Sequence, residues 1–191
     1  MKRNFEQYND IDLYNMLKSE KKIAEAAFAE LYNRYSSRIY AYCRRFLGNR
    51  EDAQDVYQET FENFLESAKE TREMTNIPAF LLKIARNLCV NVRRKDKKAV
   101  SFEDYMVPEG NPEKDDELIN LVKTAIDLLP EDLKDMFILR EYDGLSYTEI
   151  VEVTGNPMTT VKIRLYRAKQ RIREILSPYF NDDAKKEKNF N

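Results

Sequence analysis

Residues 145–171 read LSYTEIVEVTGNPMTTVKIRLYRAKQR, and this stretch asks for two helices with a sharp turn between them. Ser146 can cap a helix, and Glu149, three residues on, completes a reciprocal capping box. Ile150 and Val153 are spaced to face inward, and Gly155 permits the left-handed backbone of a tight turn. In the second helix Val161, Leu165, Ala168 and Ile172 form one stripe at steps of four, three and four. The remaining faces carry Thr159, Thr160, Lys162, Arg164, Tyr166, Arg167, Lys169 and Arg171, and no acid occurs from Thr154 to Arg173. A solvated helix face usually mixes charge signs. An apolar back with hydroxyls, a phenol and cations in front suits a DNA major groove, where arginine grips guanine and lysine or threonine holds phosphate.

Outward from this stretch, the chain reads as helical throughout. Only 4 glycines and 6 prolines occur in 191 residues, too few for a sheet protein rich in tight turns. Good helix formers dominate most segments. Ile23, Ala27, Phe28, Leu31, Tyr32, Tyr35, Ile39, Tyr42, Cys43 and Phe46 recur at helical spacing, with Gly48 and Asn49 as a stop. A second helix is expected from about Glu51 to Ala68, with Val56, Phe61, Phe64 and Leu65 inward. Residues 69–76 read as a polar loop. A third helix starts near Pro78 and buries Phe80, Leu81, Ile84, Leu88 and Val92. Residues 100–116, VSFEDYMVPEGNPEKDD, break the periodicity and are acidic, so they read as a linker able to span roughly 55–60 Å. Shorter helices follow at about 116–129, 131–142, 147–154 and 157–176, and the polar end from Pro178 is expected to fray.

Charge distribution matters more than the net −2. Lys83, Arg86, Arg93, Arg94, Lys95, Lys97 and Lys98 make one basic block against the single acid Asp96, and Lys162 to Arg173 make another. Acids gather between them, a pattern of two DNA contacts and a tether. With no histidine, and with Cys43 and Cys89 isolated in apolar surroundings, neither a zinc site nor histidine-based catalysis is expected. The two thiols read as buried and reduced. No apolar run of membrane-spanning length and no secretory leader pattern is present, so no membrane insertion is expected.

Leu129-Pro130, followed by REYDGLSYTEIVEVTG and TVKIRLYRAKQRI, resembles region 4 of the extracytoplasmic-function sigma factors of the sigma-70 family, the part that reads the −35 promoter element. The resemblance implies base or phosphate contacts by Thr159, Thr160, Lys162, Arg164, Tyr166 and Arg167. Val151 stands where alanine is usual, and Ile163 where serine is frequent, which alters the element recognised. Residues 52–65, DAQDVYQETFENFL, place Asp52, Asp55, Gln58, Glu59 and Glu62 on an acidic stripe. The order Asp-Ala-x-Asp-x-x-Gln-Glu-x-Phe resembles region 2.2 of the same family. It implies that Asp52, Asp55, Gln58 and Glu59 face the clamp helices of core RNA polymerase. Leu65 stands where tryptophan is frequent.

Ile84-Ala85-Arg86-Asn87 with the arginines that follow resembles regions 2.3–2.4, which open and hold the −10 element. It implies DNA contacts by Asn76, Lys83, Arg86, Asn87, Asn91, Arg93 and Arg94, with a base-receiving loop near Glu73–Asn76. Phe80 replaces a frequent tryptophan and Asn91 a frequent aspartate. The fold implied is all-α: two small helical domains, region 2 at 1–99 and region 4 with its helix-turn-helix at 117–178, joined by a flexible acidic linker at 100–116 and followed by a polar tail at 179–191. The function implied is a promoter-specificity subunit without catalytic residues or cofactor. It would act in the cytoplasm, monomeric when free, with core polymerase (clamp helices and flap), promoter DNA and an anti-sigma factor as partners. The rival is a helix-turn-helix regulator acting without polymerase. Such a regulator should dimerise, and no dimerisation heptad is apparent.

Overall fold

The computed structural model describes residues 5–69, 75–99 and 114–187, with backbone alone at 96–99, 114–117 and 180–187. Among the described residues every regular element is helical. They are α1 (Asp10–Met16), α2 (Lys21–Leu47), α3 (Arg50–Lys69), α4 (Ile77–Ala99), α5 (Lys114–Asp127), α6 (Glu131–Phe137), α7 (Tyr147–Thr154) and α8 (Met158–Glu187). A short 3-10 turn, Phe5–Gln7, precedes α1, and a π-turn, Ile138–Tyr142, follows α6. Two compact units form: Met1–Val100 with Glu152–Gly155, and Ser101–Val151 with Asn156–Asn191. No helix of the described residues is long and apolar enough to cross a membrane.

In the first unit α2, α3 and α4 pack against one another, and α1 lies on α2 and α4. The sequence pattern did not reveal α1. Its start is a short-range device: the Asn9 side chain accepts from the Asp12 backbone N–H at 2.9 Å, and Asp10 and Asp12 suit the positive helix end. α1 is tied down by Leu13 and Tyr14, both buried, and by the Tyr14 hydroxyl donating to the Ser67 carbonyl at 3.1 Å. Arg34 spans Glu30 (2.7 Å) and Asp10 (2.9 Å) and also donates to the Glu6 carbonyl (3.0 Å). The Tyr35 hydroxyl donates to Asp10, and burial first, then that bond, raises its pKa above the ordinary tyrosine range.

α2 ends at Gly48, whose φ of 85° is the left-handed stop the sequence implies. Asn49 does more than stop it. Its side chain accepts from the Asp52 N–H at 2.8 Å and starts α3. Ala53, Val56, Phe61, Phe64 and Ala68 make the buried stripe of α3, and the threonine among them, Thr60, donates to the Val56 carbonyl at 2.7 Å. Leu65, expected inward, is 36% exposed. It sits one residue, or 100°, past Phe64, which already fills the core. α4 is also turned from the expected stripe. Its fully buried residues are Ile77, Leu81, Leu82, Ala85 and Cys89, whereas Phe80, Ile84, Leu88 and Val92 are half-buried. Small Ala85 and Cys89 admit the neighbouring helices closely, and a reading weighted to bulky side chains misplaces the centre. Cys43 and Cys89 are buried free thiols, as expected.

In the second unit α5 and α6 pack on α8. Met136, Ile138, Leu139, Ile150, Val161 and Ala168 are wholly buried. Lys134 is buried as well, and its ammonium meets Asp127 at 2.7 Å, which satisfies a charge that would be costly alone. The single helix expected over 131–142 instead widens at Ile138: the Asp143 N–H bonds the Ile138 carbonyl at 3.1 Å and the Leu145 N–H bonds Leu139 at 3.0 Å. Gly144 then turns the chain with a φ of 69°. Of the expected linker, 100–113 lies outside the described residues, and α5 already begins at Lys114. The last helix, expected to end near 176, instead runs through Pro178 to Glu187. Proline removes the one bond to the Glu174 carbonyl, and Ala184, Lys185, Lys186 and Glu187 are good helix formers.

The capping box of α7 is present in both directions. The Ser146 N–H donates to the Glu149 carboxylate at 2.7 Å, and the Glu149 N–H donates to the Ser146 hydroxyl at 3.2 Å. Ser146→Ala is expected to cost about 1 kcal/mol, read as faster hydrogen exchange of the first α7 amides. Unchanged exchange would mean that the Glu149 half holds the helix end alone.

Candidate nucleic-acid interface

α7, the three-residue turn and α8 make the helix-turn-helix, with Gly155 at a φ of 69°. That backbone region is strained for any side chain with a Cβ, so glycine sets the entry into α8. Val161, Leu165 and Ala168 are buried and fix the rotation of α8 about its axis. The opposite side then presents Thr159, Lys162, Ile163, Tyr166 and Arg167, all exposed, Tyr166 at 71%. Thr160 and Arg164 are half-buried at the margin.

Two acids reach this side from α6 and the π-turn. The Arg164 guanidinium pairs with Asp132 at 3.1 Å and also donates to the Asn156 side chain at 3.3 Å. Lys169 pairs with Glu141 at 2.8 Å. Sequence reading missed Asp132 and Glu141, because nothing local connects a residue of α6 to one 32 positions later. Arg164 is therefore held in one orientation, while Lys162 and Arg167 extend from the exposed face.

In the first unit, Lys83, Asn87, Asn91 and Arg94 are exposed and follow one another at steps of four, four and three, so they line one stripe of α4. Arg86 and Arg93 lie about 100° to the side and are half-buried. Arg93 donates to the Phe46 carbonyl at 3.4 Å, closing the end of α2. Asn76 caps α4, its side-chain oxygen accepting from the Ala79 N–H at 3.1 Å. Both residues are thus engaged in the fold. Of the expected base-receiving loop, Glu73 and Met74 lie outside the described residues. Thr75 is exposed and Asn76 half-buried.

On α3, Asp55, Gln58 and Glu59 are exposed, while Asp52 is half-buried and accepts from the Asn49 side-chain amide. Gln58 borders a groove of about 470 Å³ between α2 and α3, lined also by Tyr32, Tyr40, Gln54 and Tyr57. The Tyr57 hydroxyl donates to that of Tyr32, and burial, then this bond, raises the Tyr57 phenol above its ordinary range. Tyr32 also packs on Phe61, with ring centroids 4.9 Å apart, so the groove floor is an aromatic layer. The sequence carried Tyr32 only as core spacing, gave Tyr40 and Tyr57 no role, and did not disclose the groove.

Two family models match the chain, Sigma-70 region 2 over residues 31–99 and Sigma-70 region 4 over residues 119–172. The RNA polymerase sigma-H factor of Pseudomonas aeruginosa is 33% identical over 172 residues, covering 82% of this chain and 89% of that protein. The ECF RNA polymerase sigma factor SigE of Mycolicibacterium smegmatis is 32% identical over 170 residues, covering 84% of this chain and 66% of that longer protein. Among solved structures, the sigma factor RpoE in complex with the anti-sigma factor NepR from Bartonella quintana has the same fold, with a TM-score of 0.63 at 24% identity, covering 78% of this chain and 96% of that one.

Proposed function

The chain belongs to the sigma-70 family, in its extracytoplasmic-function group, and from that premise we propose how its two units serve a single polymerase. It is a promoter-specificity subunit: it binds core RNA polymerase and directs transcription initiation at promoter DNA. One observation carries this reading above the rival. Region 2 and region 4 occur in that order in one chain, and a regulator that only grips an operator has no use for region 2.

The stripe Asp55, Gln58 and Glu59, with Asp52 anchoring its helix start, docks on the polymerase clamp helices. Carboxylates and an amide on one face suit arginine-rich partners. The domain containing it extends over 1–99, and the region 4 domain runs from α5, which starts at Lys114, through α8, with 100–113 as the tether. Once docked, α8 enters the major groove of the −35 element. Arg167 and Tyr166 reach base edges, Lys162, Thr159 and Thr160 hold phosphate, and Arg164, steadied by Asp132 and Asn156, offers its remaining N–H groups to the backbone. On α4, Lys83, Asn87, Asn91 and Arg94 contact the −10 element as it opens. Arg86, Arg93 and Asn76 support that surface from its side and its helix cap.

The free chain is a weak DNA binder, in keeping with a net charge of −2. Polymerase supplies the register that lets both units engage. Nucleotide transfer belongs to polymerase, so the chain itself needs no catalytic group or cofactor, and its place of action is the cytoplasm. An anti-sigma factor is a further partner, as for the RpoE relative.

The discriminating experiment is size measurement of the purified chain with co-purification of core polymerase. A monomer that captures core enzyme supports the sigma reading. A stable dimer that shifts duplex DNA without polymerase supports the rival. Within the sigma reading, Arg167→Ala is expected to weaken use of the upstream element by about 1–3 kcal/mol, measured as holoenzyme occupancy of a promoter. Unchanged footprints would remove Arg167 from the reading face.

A further inference from the structure

We propose that Ile163 reads the methyl group of a thymine in the upstream promoter element and so sets which promoters this chain selects. The proposal rests on the placement of α8 in the major groove given above. Ile163 is 51% exposed. At 100° per residue it lies opposite the buried stripe of Val161, Leu165 and Ala168, four residues after Thr159, three before Tyr166 and four before Arg167. It occupies the middle of the outward face, not an edge from which an apolar side chain could lean back onto the core.

A lone exposed isoleucine on an ordinary surface carries no message. At the centre of a helix that enters a groove, the same residue decides what can lie opposite. Base edges in the major groove present hydrogen-bond donors and acceptors, and isoleucine can satisfy none of them. Stripping water from such a group without replacing its bond is unfavourable. Thymine alone offers an apolar feature there, its C5-methyl. Tyr166, one turn on and 71% exposed, extends the apolar surface with its ring.

The neighbours fix the approach. Lys162, exposed to one side, attracts the phosphates that set the depth of the helix, and Arg167, exposed to the other, reaches base edges. Arg164 is engaged elsewhere, its guanidinium pairing with Asp132 at 3.1 Å and donating to Asn156 at 3.3 Å. The centre of the face is therefore apolar when DNA arrives.

Deoxyuridine removes only the methyl of thymine and keeps every hydrogen-bonding group. Holoenzyme made from the full chain and core polymerase is bound to a promoter found by start-site mapping, with each upstream thymine replaced in turn by deoxyuridine. One replacement should lower occupancy about fourfold, the worth of one buried methyl group. Ile163→Ala should bind the thymine and deoxyuridine templates equally, with an unchanged melting temperature because the side chain is exposed. An element without thymine, wild-type indifference at every position, or a penalty that persists in Ile163→Ala would each overturn the proposal. Arg167→Ala separates the two layers of argument. If it weakens upstream binding while deoxyuridine has no effect, Ile163 alone is misassigned. If it too has no effect, the placement of α8 itself fails, and this proposal with it.

Discussion

Phe64→Ala should destabilise the first unit by about 3–5 kcal/mol, enough to consume much of the stability of a domain of this size. Phe64 is fully buried, with its ring 5.6 Å from that of Tyr14 and 6.3 Å from that of Phe80. It joins α3 to α1 and α4, so truncation leaves a cavity bordered by three helices. The remaining rings and aliphatic groups are anchored by their own helices and cannot collapse fully into it. Urea unfolding followed by circular dichroism measures the loss. A cost below about 1 kcal/mol would mean that α1 and α4 do not converge on this ring.

Reversing Asp55 and Glu59 together to lysine should cut core polymerase binding by at least about 100-fold, with the fold unchanged. Each carboxylate bonded to a cation contributes roughly 1.5–3 kcal/mol, and reversal adds repulsion to the loss of two such bonds. Both side chains are exposed, one turn apart on α3. Neither belongs to the buried stripe, which is why the fold should survive. Their separation from Asp52 matters in choosing them, since Asp52 also takes part in the cap at Asn49 and its replacement would confuse docking with helix stability. Competition binding to core polymerase gives the readout. A reversed variant that assembles holoenzyme at wild-type affinity would show that this stripe is not the docking surface.

Local devices were legible in the sequence, because each is completed within a few residues. The Ser146–Glu149 box, the glycine turn at Gly155 and the stripe of Val161, Leu165 and Ala168 needed no knowledge of the rest of the chain. The exposed stripe on α3 followed from periodicity in the same way. Features settled by distant partners were not legible. Asp132 and Glu141 reach α8 only once α6 has packed beside it. The buried centre of α4 depends on how closely α2 and α3 approach Ala85 and Cys89. Leu65 is displaced from the core because Phe64 and Ala68 already occupy it. α1 is too short for a periodic signal and is held by Arg34 and Tyr14, 20 or more residues from their partners. Proline at 178 reads as a helix end, but α8 continues through it.

The charge pairs of α8 also bear on how recognition is expressed. An acid-free sequence over 20 residues overstates the positive field of the helix, since Arg164 and Lys169 are balanced by Asp132 and Glu141. Lys162 and Arg167 are left to attract DNA from the exposed face. Weak attraction in the free chain and strong attraction in holoenzyme are compatible with that arrangement, because polymerase supplies the second point of attachment.

In vitro transcription with purified chain and core polymerase on fragments of the source genome, with start sites mapped, tests the central claim directly. The account predicts a discrete set of starts that require the chain and share two upstream sequence elements, one near −10 and one near −35. Starts that are the same with and without the chain, on every fragment, would contradict it.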